Sequence, residues 1–293
     1  EVNLDNIAFN IKSIKDMVGR DVAIAAVIKA NGYGHGAVGI AKELIENGVD
    51  CLAVATLNEA MELRRNFKDY NIFILGYTPD EYLEYIVKND ITQTIFSYRQ
   101  AKILEKLGRI YNKKPIVHIK YDTGFNRLGF RDCKESIDEI EKICRLKNIY
   151  VEGIFSHFAL ASREEDAIQY EKFIARIDEL ESRGITFKYK HIEDSISAVD
   201  YPEYRLNMIR PGAIIYGLKG FHYGNLNLKQ ALIFKTKLYN IKEIKKGEGV
   251  SYDYLWKADR DSIIGTLPFG YADGYPRNLI DKGYVTIHGK RLQ

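Results

Sequence analysis

The chain has 293 residues, which is enough for one large barrel domain or two ordinary domains. Its residues are 46% apolar and 28% charged, as in a folded globular protein, and its net charge is only +3. Basic and acidic residues are interspersed, so the charge pattern excludes an obvious nucleic-acid-binding surface. The three cysteines lack metal-ligand spacing and favour a reducing, cytoplasmic location, and no apolar run is long enough to predict a membrane segment.

Short apolar runs alternate with amphipathic helical stretches over the first 226 residues. The predicted strands are 23–29, 51–55, 71–75, 92–96, 116–122, 151–158, 188–194 and 206–212. The predicted helices between them include 38–46, 58–66, 98–107, 136–146 and 164–182. This count and order predict an α/β fold, a (β/α)8 TIM barrel over residues 1–226. An open doubly wound sheet is the alternative, but its glycine-rich nucleotide fingerprint is missing from the sequence.

The pattern changes in the last part of the chain. Residues 232–244, 262–268 and 284–288 look like strands without helices between them, and turn residues separate them. We therefore predict a smaller all-β domain over 227–293, with which the first few residues of the chain could pair. Because residues 284–291 are typical of a hairpin's first arm and the chain starts without methionine, we expect further residues beyond both ends of this sequence.

Lys29 is the first candidate for chemistry. It follows the apolar run 23–28, which does not alternate and therefore predicts a buried strand. Partial burial favours the neutral, nucleophilic form of an amine, which can form a Schiff base with a carbonyl compound such as pyridoxal 5'-phosphate (PLP). The glycine-rich loop after it lets the backbone approach closely, and Tyr33 and His35 could reach an anion. The alternative is an ordinary lysine in solvent.

Further polar groups follow other predicted strands. The carboxyl ends of barrel strands share one rim, where functional groups collect. Taken singly, His157 could be a core histidine, Arg127 a surface cation and Ser195 a helix cap. Their common position favours one shared site instead. The candidates at this rim are Lys29, 122–127, 156–157, 194–195 and 210–212.

In combination these segments resemble the alanine racemases, which are fold-type III PLP enzymes. The resemblance spans essentially the whole chain and rests on several motifs in the same order. They are Ala26-Val-Ile-Lys-Ala-Asn-Gly-Tyr-Gly-His-Gly36, Asp122-Thr-Gly with Arg127-Leu-Gly, Gly153-Ile-Phe-Ser-His-Phe158, Asn207-Met-Ile-Arg-Pro-Gly212, Val250-Ser-Tyr252 and Gly270-Tyr-Ala-Asp-Gly274.

The resemblance implies a homodimer that racemizes alanine, providing D-alanine for peptidoglycan, with a role for each matching residue. Lys29 would bind PLP covalently and act as one base, and Tyr252 of the other subunit would be the second. Arg127 would bind the cofactor and the substrate carboxylate, and Lys120 would be carbamylated to orient it. His157 would support Arg210, which would face the pyridine nitrogen. The phosphate would bind Tyr33, Ser195, Gly212 and Ala213.

Two bases on opposite faces are the simple solution for a reaction that removes a proton from one face and returns it to the other. Because phenols are weak acids, Tyr252 would need cationic help, which we expect from His157 and Arg210. Arginine stays protonated, so Arg210 would leave the pyridine nitrogen neutral and disfavour transamination.

Several features leave alternatives open. Asp194 stands where an asparagine is usual and would repel a phosphate unless it points away or pairs with a cation. Residues 91–94, 261–264 and 275–279 resemble serine/alanine racemase domains of vancomycin-resistance clusters, so serine is a possible substrate. A fold-type III decarboxylase, a PLP-carrier protein and a barrel without PLP rank lower. Arg210 argues against the decarboxylase, and the segment at Tyr252 argues against the carrier.

Overall fold

The computed structural model describes residues 1–218, 226–280 and 282–292. Eight parallel strands form one sheet with the order β7-β6-β5-β4-β3-β2-β1-β8, which confirms the predicted barrel class. The strands are β1 Ala23–Val27, β2 Cys51–Val54, β3 Ile72–Ile74, β4 Thr92–Ile95, β5 Ile116–Lys120, β6 Tyr150–Phe155, β7 Tyr189–His191 and β8 Met208–Ile209.

The helices of this unit lie between the strands along the chain. They are α1 Leu4–Val18, the short turn α2 Lys29–Tyr33, α3 Ala37–Glu46, α4 Leu57–Asn66, α5 Leu83–Lys88, α6 Tyr98–Tyr111, α7 Lys134–Cys144, α8 Arg163–Ser182 and α9 Ser197–Asp200. Polar caps set several starts: Thr56, Ser97 and Ser162 each accept the N–H three residues on. Short 3₁₀ turns occupy Asp80–Tyr82, Pro202–Tyr204 and Ala213–Tyr216. No helix in the described ranges is both long and apolar enough to cross a membrane.

The sheet is buried on both faces. On β1, Ala25 and Val27 belong to a small cluster inside the barrel, whereas Ile24 and Ala26 pack into the larger core shared with the helices. This explains the unbroken apolar run in the sequence. Between β7 and β8, the backbone N–H of Arg210 donates to the carbonyl of Glu193 at 3.1 Å and joins the two ends of the sheet.

Some predicted boundaries were wrong. β1 ends at Val27 rather than at residue 29, and β6 ends at Phe155 rather than at 158, because the chain turns into the rim loops earlier. The first residues of the chain form no strand. Val2 makes only one isolated bridge, and α1 starts at Leu4, where the Asn3 side chain accepts the N–H of Asn6.

A second compact unit comprises residue 1 and residues 233–293, of which Asp281 and Gln293 lie outside the described residues. Its strands are β9 Asn240–Ile244, β10 Gly249–Val250, β11 Trp256–Lys257, β12 Ser262–Thr266, β13 Val285–Ile287 and β14 Lys290–Leu292, paired antiparallel as β9–β12, β10–β11 and β13–β14. It also contains 3₁₀ turns at Tyr252–Tyr254, Tyr271–Asp273 and Arg277–Leu279. The prediction that residues 284–291 form only the first arm of a hairpin was wrong, because β13 and β14 are both arms of one hairpin and lie within Val285–Leu292.

Candidate active site

Lys29 lies two residues beyond the end of β1 and is half-buried at the carboxyl rim of the barrel. It is followed by four residues in the left-handed region: Ala30, Asn31, Gly32 and Tyr33 have φ values of 51°, 53°, 62° and 54°. For a residue other than glycine this conformation costs about 1–2 kcal/mol, and consecutive left-handed residues are rare. The turn therefore requires tertiary contacts to hold it, and it fixes where Lys29 and Tyr33 stand relative to each other.

Tyr33, Ser195 and Gly212 converge on one small region of the rim. The Gly212 N–H donates to Oγ of Ser195 at 2.8 Å. A Cβ atom placed on Gly212 would lie 2.6 Å from the Tyr33 hydroxyl, so only glycine allows this approach. Ala213 begins the 3₁₀ turn directly after Gly212. Two hydroxyls beside the start of a turn suit a bound phosphate group.

The Oδ1 atom of Asp194 makes its hydrogen bonds within its own segment of the chain. That oxygen accepts the N–H groups of Ile196 and Ser197, each at 3.0 Å, and the hydroxyl of Ser197 at 2.9 Å. The carboxylate thus accepts hydrogen bonds from the turn that leads into α9.

Arg210 lies one residue beyond β8, with only 5% of its surface exposed. Its guanidinium donates to the carbonyls of Ser156 and Ile192, both at 2.8 Å, and lies 5.2 Å from the centroid of the Phe155 ring. Burial lowers its pKa to about 10, so the side chain remains cationic at neutral pH. These contacts fix a permanent donor group at the rim.

His157 lies beside Arg210, with 3.3 Å between its Nδ1 and Nη2 of the arginine. Burial first, and then the charge of Arg210, lower the His157 pKa to about 3. The ring is therefore neutral at neutral pH. A neutral ring would not supply the positive charge that the sequence led us to expect from His157 for a catalytic phenol, because a second cation beside the buried guanidinium is unfavourable.

A buried chain of side chains extends from Arg210 through the barrel. Arg210 Nη1 is 2.6 Å from Nδ1 of His191, and His191 Nε2 is 2.8 Å from Nδ1 of His118. His118 Nε2 is 3.5 Å from Oε2 of Glu152, whose other oxygen receives Lys188 at 3.0 Å. Burial lowers the pKa values of both histidines, so both rings are neutral.

Local features of the backbone allow His118 and Glu152 to contact each other. The pairing of β5 with β6 shifts by one residue, so that Val117 faces Val151 and His118 faces Gly153. Glu152 is therefore the extra residue of a β-bulge, which redirects its side chain towards His118. A Cβ on Gly153 would lie 2.7 Å from the His118 ring. Sequence reasoning missed these residues, although histidines within buried strands were a signal.

Lys120 is another buried basic side chain, only 4% exposed at the end of β5. Its Nζ donates to the carbonyl of Tyr121 at 2.8 Å. Burial lowers its pKa to about 7, with Asp122 acting in the opposite direction. A large fraction of this amine is therefore neutral near pH 7.

Arg127 lies in the exposed loop after β5, and its guanidinium is 4.4 Å from the centroid of the Phe125 ring. That ring is in turn 4.9 Å from the His157 ring, between centroids. The stack brings Arg127 to the same rim as His157 and Arg210. Tyr252 belongs to the other unit, where its side chain is 77% exposed.

Comparison with known proteins points to one enzyme family. Residues 2–220 match the alanine racemase N-terminal domain, and residues 231–293 match the alanine racemase C-terminal domain. An alanine racemase of Clostridium tetani is 46% identical, covering 100% of this chain and 77% of the relative. One of Desulforamulus reducens is 39% identical, covering 100% and 81%. A solved alanine racemase of Clostridium difficile has a TM-score of 0.93 and 39% identity, covering 99% of this chain and 77% of that one.

Fold and matches together define an enzyme of the isomerase class, an amino-acid racemase. The chain belongs to the alanine racemase family. The relatives just described carry the name alanine racemase, which does not favour the serine alternative. Within the described ranges, no group of three or more histidine, cysteine or acidic residues could hold a metal ion.

Proposed function

We propose that this protein interconverts L- and D-alanine with PLP bound covalently to Lys29. The observation that carries the proposal is the meeting of three features at one rim: the half-buried amine, the Tyr33–Ser195–Gly212 region and the buried Arg210 guanidinium. Bound PLP supplies an electron-withdrawing ring that acidifies the α-proton of an attached amino acid.

The residues at this rim fit that cofactor. The Tyr33 and Ser195 hydroxyls and the backbone amides of Gly212 and Ala213 would hold the phosphate, because Gly212 leaves the space that a Cβ would fill. Arg210 would face the ring nitrogen, to which a guanidinium can only donate. Arg127 would bind the substrate carboxylate, since it offers a planar pair of donors. His157, a neutral acceptor beside Nη2, would help to orient Arg210.

We assign the two proton transfers to Lys29 and to Tyr252 of a second subunit in a homodimer. The two bases must approach the α-carbon from opposite faces. In support, the Tyr252 side chain is largely exposed, and so are its neighbours Tyr254 and Leu255. Arg210, which stays protonated, remains the candidate for cationic help to the phenol, because His157 is neutral.

We further propose that Lys120 is carbamylated. Its neutral amine would attack carbon dioxide, forming an N–C bond and releasing one proton, and the new carboxylate would pair with Arg127. Support comes from the burial of Lys120 and from its pKa of about 7, which leaves much of the amine unprotonated.

The proposed setting is cytoplasmic supply of D-alanine for peptidoglycan, by a cofactor-binding domain of residues 1–226 and a β-domain that begins at 227. All three cysteines are free, which suits a reducing compartment.

The direct test uses full-length protein and PLP. L-Alanine and L-serine are supplied separately, and the D-enantiomers are measured by chiral chromatography. Borohydride reduction followed by peptide mass spectrometry then locates the cofactor. We expect D-alanine as the main product and a reduced adduct on Lys29, with neither in Lys29→Ala. An adduct on another lysine, or D-serine as the main product, contradicts the proposal.

A further inference from the structure

Glu59 joins two neighbouring rim loops through both of its carboxylate oxygens. Oε1 accepts the backbone N–H of Ala30, the residue after Lys29, at 2.7 Å. Oε2 accepts the N–H groups of Ala55 and Thr56, which follow β2, at 2.8 and 3.1 Å. Three backbone donors on one carboxylate form charge-assisted hydrogen bonds, which are stronger than those between neutral groups.

The bond to Ala30 lies where the chain enters the left-handed turn. Inside that turn, Gly32 donates to the Ile28 carbonyl at 2.9 Å, and at its far side Ala37 donates to Oδ1 of Asn31 at 2.8 Å. Ala30 itself has φ 51°, which its Cβ disfavours. Glu59 is the side chain that ties this first left-handed residue to a different βα unit of the barrel.

We infer that Glu59 is a positioning residue for Lys29 and Tyr33. By fixing the N–H of Ala30, its carboxylate sets the direction in which the turn leaves β1. The geometry of this turn then sets the separation between the Lys29 amine and the Tyr33 hydroxyl. This inference rests on the proposed role of Lys29 as the point of PLP attachment.

A purely structural role for Glu59 must be separated from this one, because Glu59 also belongs to the capping box of α4. In that box the Glu59 N–H donates to Oγ1 of Thr56 at 3.4 Å, and the Glu59 carboxylate accepts the Thr56 N–H. The chain offers a matched pair of variants. Thr56→Ala removes the hydroxyl of the cap and leaves both carboxylate oxygens in place.

Glu59→Gln has the complementary effect. An amide has only one oxygen, which satisfies the two donors at Ala55 and Thr56 and leaves an NH₂ group facing the N–H of Ala30. This variant therefore retains the cap and removes the bond to the turn, with little change in side-chain size.

The experiment compares full-length wild type, Glu59→Gln and Thr56→Ala in two measurements. The first is amide hydrogen exchange over residues 29–36 in the cofactor-free protein. The second is the rate at which PLP becomes borohydride-trapped on Lys29, read by peptide mass spectrometry. In Glu59→Gln we expect exchange at Ala30 to be roughly tenfold faster and trapping to be correspondingly slower, because a charge-assisted bond is lost. In Thr56→Ala we expect both rates to stay at the wild-type level.

Two outcomes overturn the inference. One is a Glu59→Gln protein whose exchange and trapping rates equal those of wild type. The other is an equal change in both variants, which would assign the effect to the helix cap. A wild-type protein that gives no adduct on Lys29 contradicts the proposed function instead. The exchange measurement still reports on Glu59 in that case, so the two failures are distinguishable.

Discussion

The guanidinium of Arg210 donates to Nδ1 of His191 at 2.6 Å, and this bond determines the protonation of two buried histidines. Since arginine can only donate, His191 Nδ1 is an acceptor and the His191 proton lies on Nε2. His191 then donates to His118 Nδ1 at 2.8 Å, and His118 Nε2 donates to Glu152. In this series of hydrogen bonds from Arg210 to Glu152, each donor therefore belongs to the residue nearer the rim.

This order of donors predicts the tautomers of His118 and His191. In ¹⁵N-detected histidine spectra at pH 7, we expect both rings to be neutral and protonated on Nε2. Because burial lowers the pKa of both rings below that of a free imidazole, the neutral signals should persist to a lower pH than those of a free imidazole. A proton on Nδ1 of His191 would contradict the order.

Gly212→Ala is predicted to weaken binding of the cofactor phosphate without unfolding the barrel. The added methyl would stand 2.6 Å from the Tyr33 hydroxyl, which can move away because it is the far end of a side chain. Loss of that donor should weaken PLP affinity roughly tenfold, or about 1.4 kcal/mol. Fluorescence titration measures the affinity. Gly39→Ala, where a Cβ meets nothing within 4 Å, is the control and should bind PLP like wild type.

Arg210→Glu is predicted to divert alanine towards transamination. A carboxylic group opposite the ring nitrogen would keep that nitrogen protonated, whereas the arginine leaves it neutral. We expect racemization to fall and pyruvate to form during incubation with alanine, as measured with a coupled dehydrogenase assay. Arg210→Gln, which carries no carboxylate, should lose racemization without gaining pyruvate. Pyruvate at the wild-type rate in Arg210→Glu would refute this account of Arg210.

Glu193 is predicted to make the folded state less stable as pH rises. Its side chain is fully buried, and burial raises its pKa to about 8. Arg205 Nε lies 3.8 Å from Oε2, which is an ion-pair separation but too long for a hydrogen bond, so neither oxygen has a hydrogen-bonding partner. From about pH 4.5 to 8 the folded state retains a proton that the unfolded state has lost, so the free energy of unfolding falls with rising pH.

Glu193→Gln should remove this dependence. At pH 8 we expect the variant to be more stable than wild type by on the order of 3 kcal/mol, and the difference should shrink towards pH 5. Urea unfolding at several pH values measures it. A difference that does not vary with pH would show that Glu193 does not titrate in this window.

Carbamylation of Lys120 is predicted to be visible by ¹³C NMR. With labelled bicarbonate, wild-type protein should show a carbamate carbonyl signal that disappears on acidification, because only the neutral amine reacts and the amine is near half neutral at pH 7. Lys120→Arg should lack the signal, whereas Lys114→Arg should retain it. A signal that survives in Lys120→Arg would assign the carbamate to another amine.

The local sequence pattern was sufficient to predict the barrel class and to group most of the candidate residues at the rim. The unbroken apolar run of β1 indicated a strand buried on both faces, and strand ends in a parallel barrel meet at one rim whatever the loops between them do. For that reason Ser195, Arg210 and Gly212 could be grouped before any distance was known. The reading of Lys29 as the last strand residue failed, because strand propensity does not report a left-handed turn that distant contacts hold in place.

By itself, the sequence determined the order of strands and helices, the amine at the mouth of the first strand and the family to which the chain belongs. Only the tertiary structure decided that His157 is neutral, that His191 and His118 link Arg210 to Glu152, and that Glu59 holds the turn after Lys29. The physical reason is that charge state and hydrogen-bond partners depend on burial and on groups far apart in the chain. Periodicity and spacing report only what lies nearby in sequence.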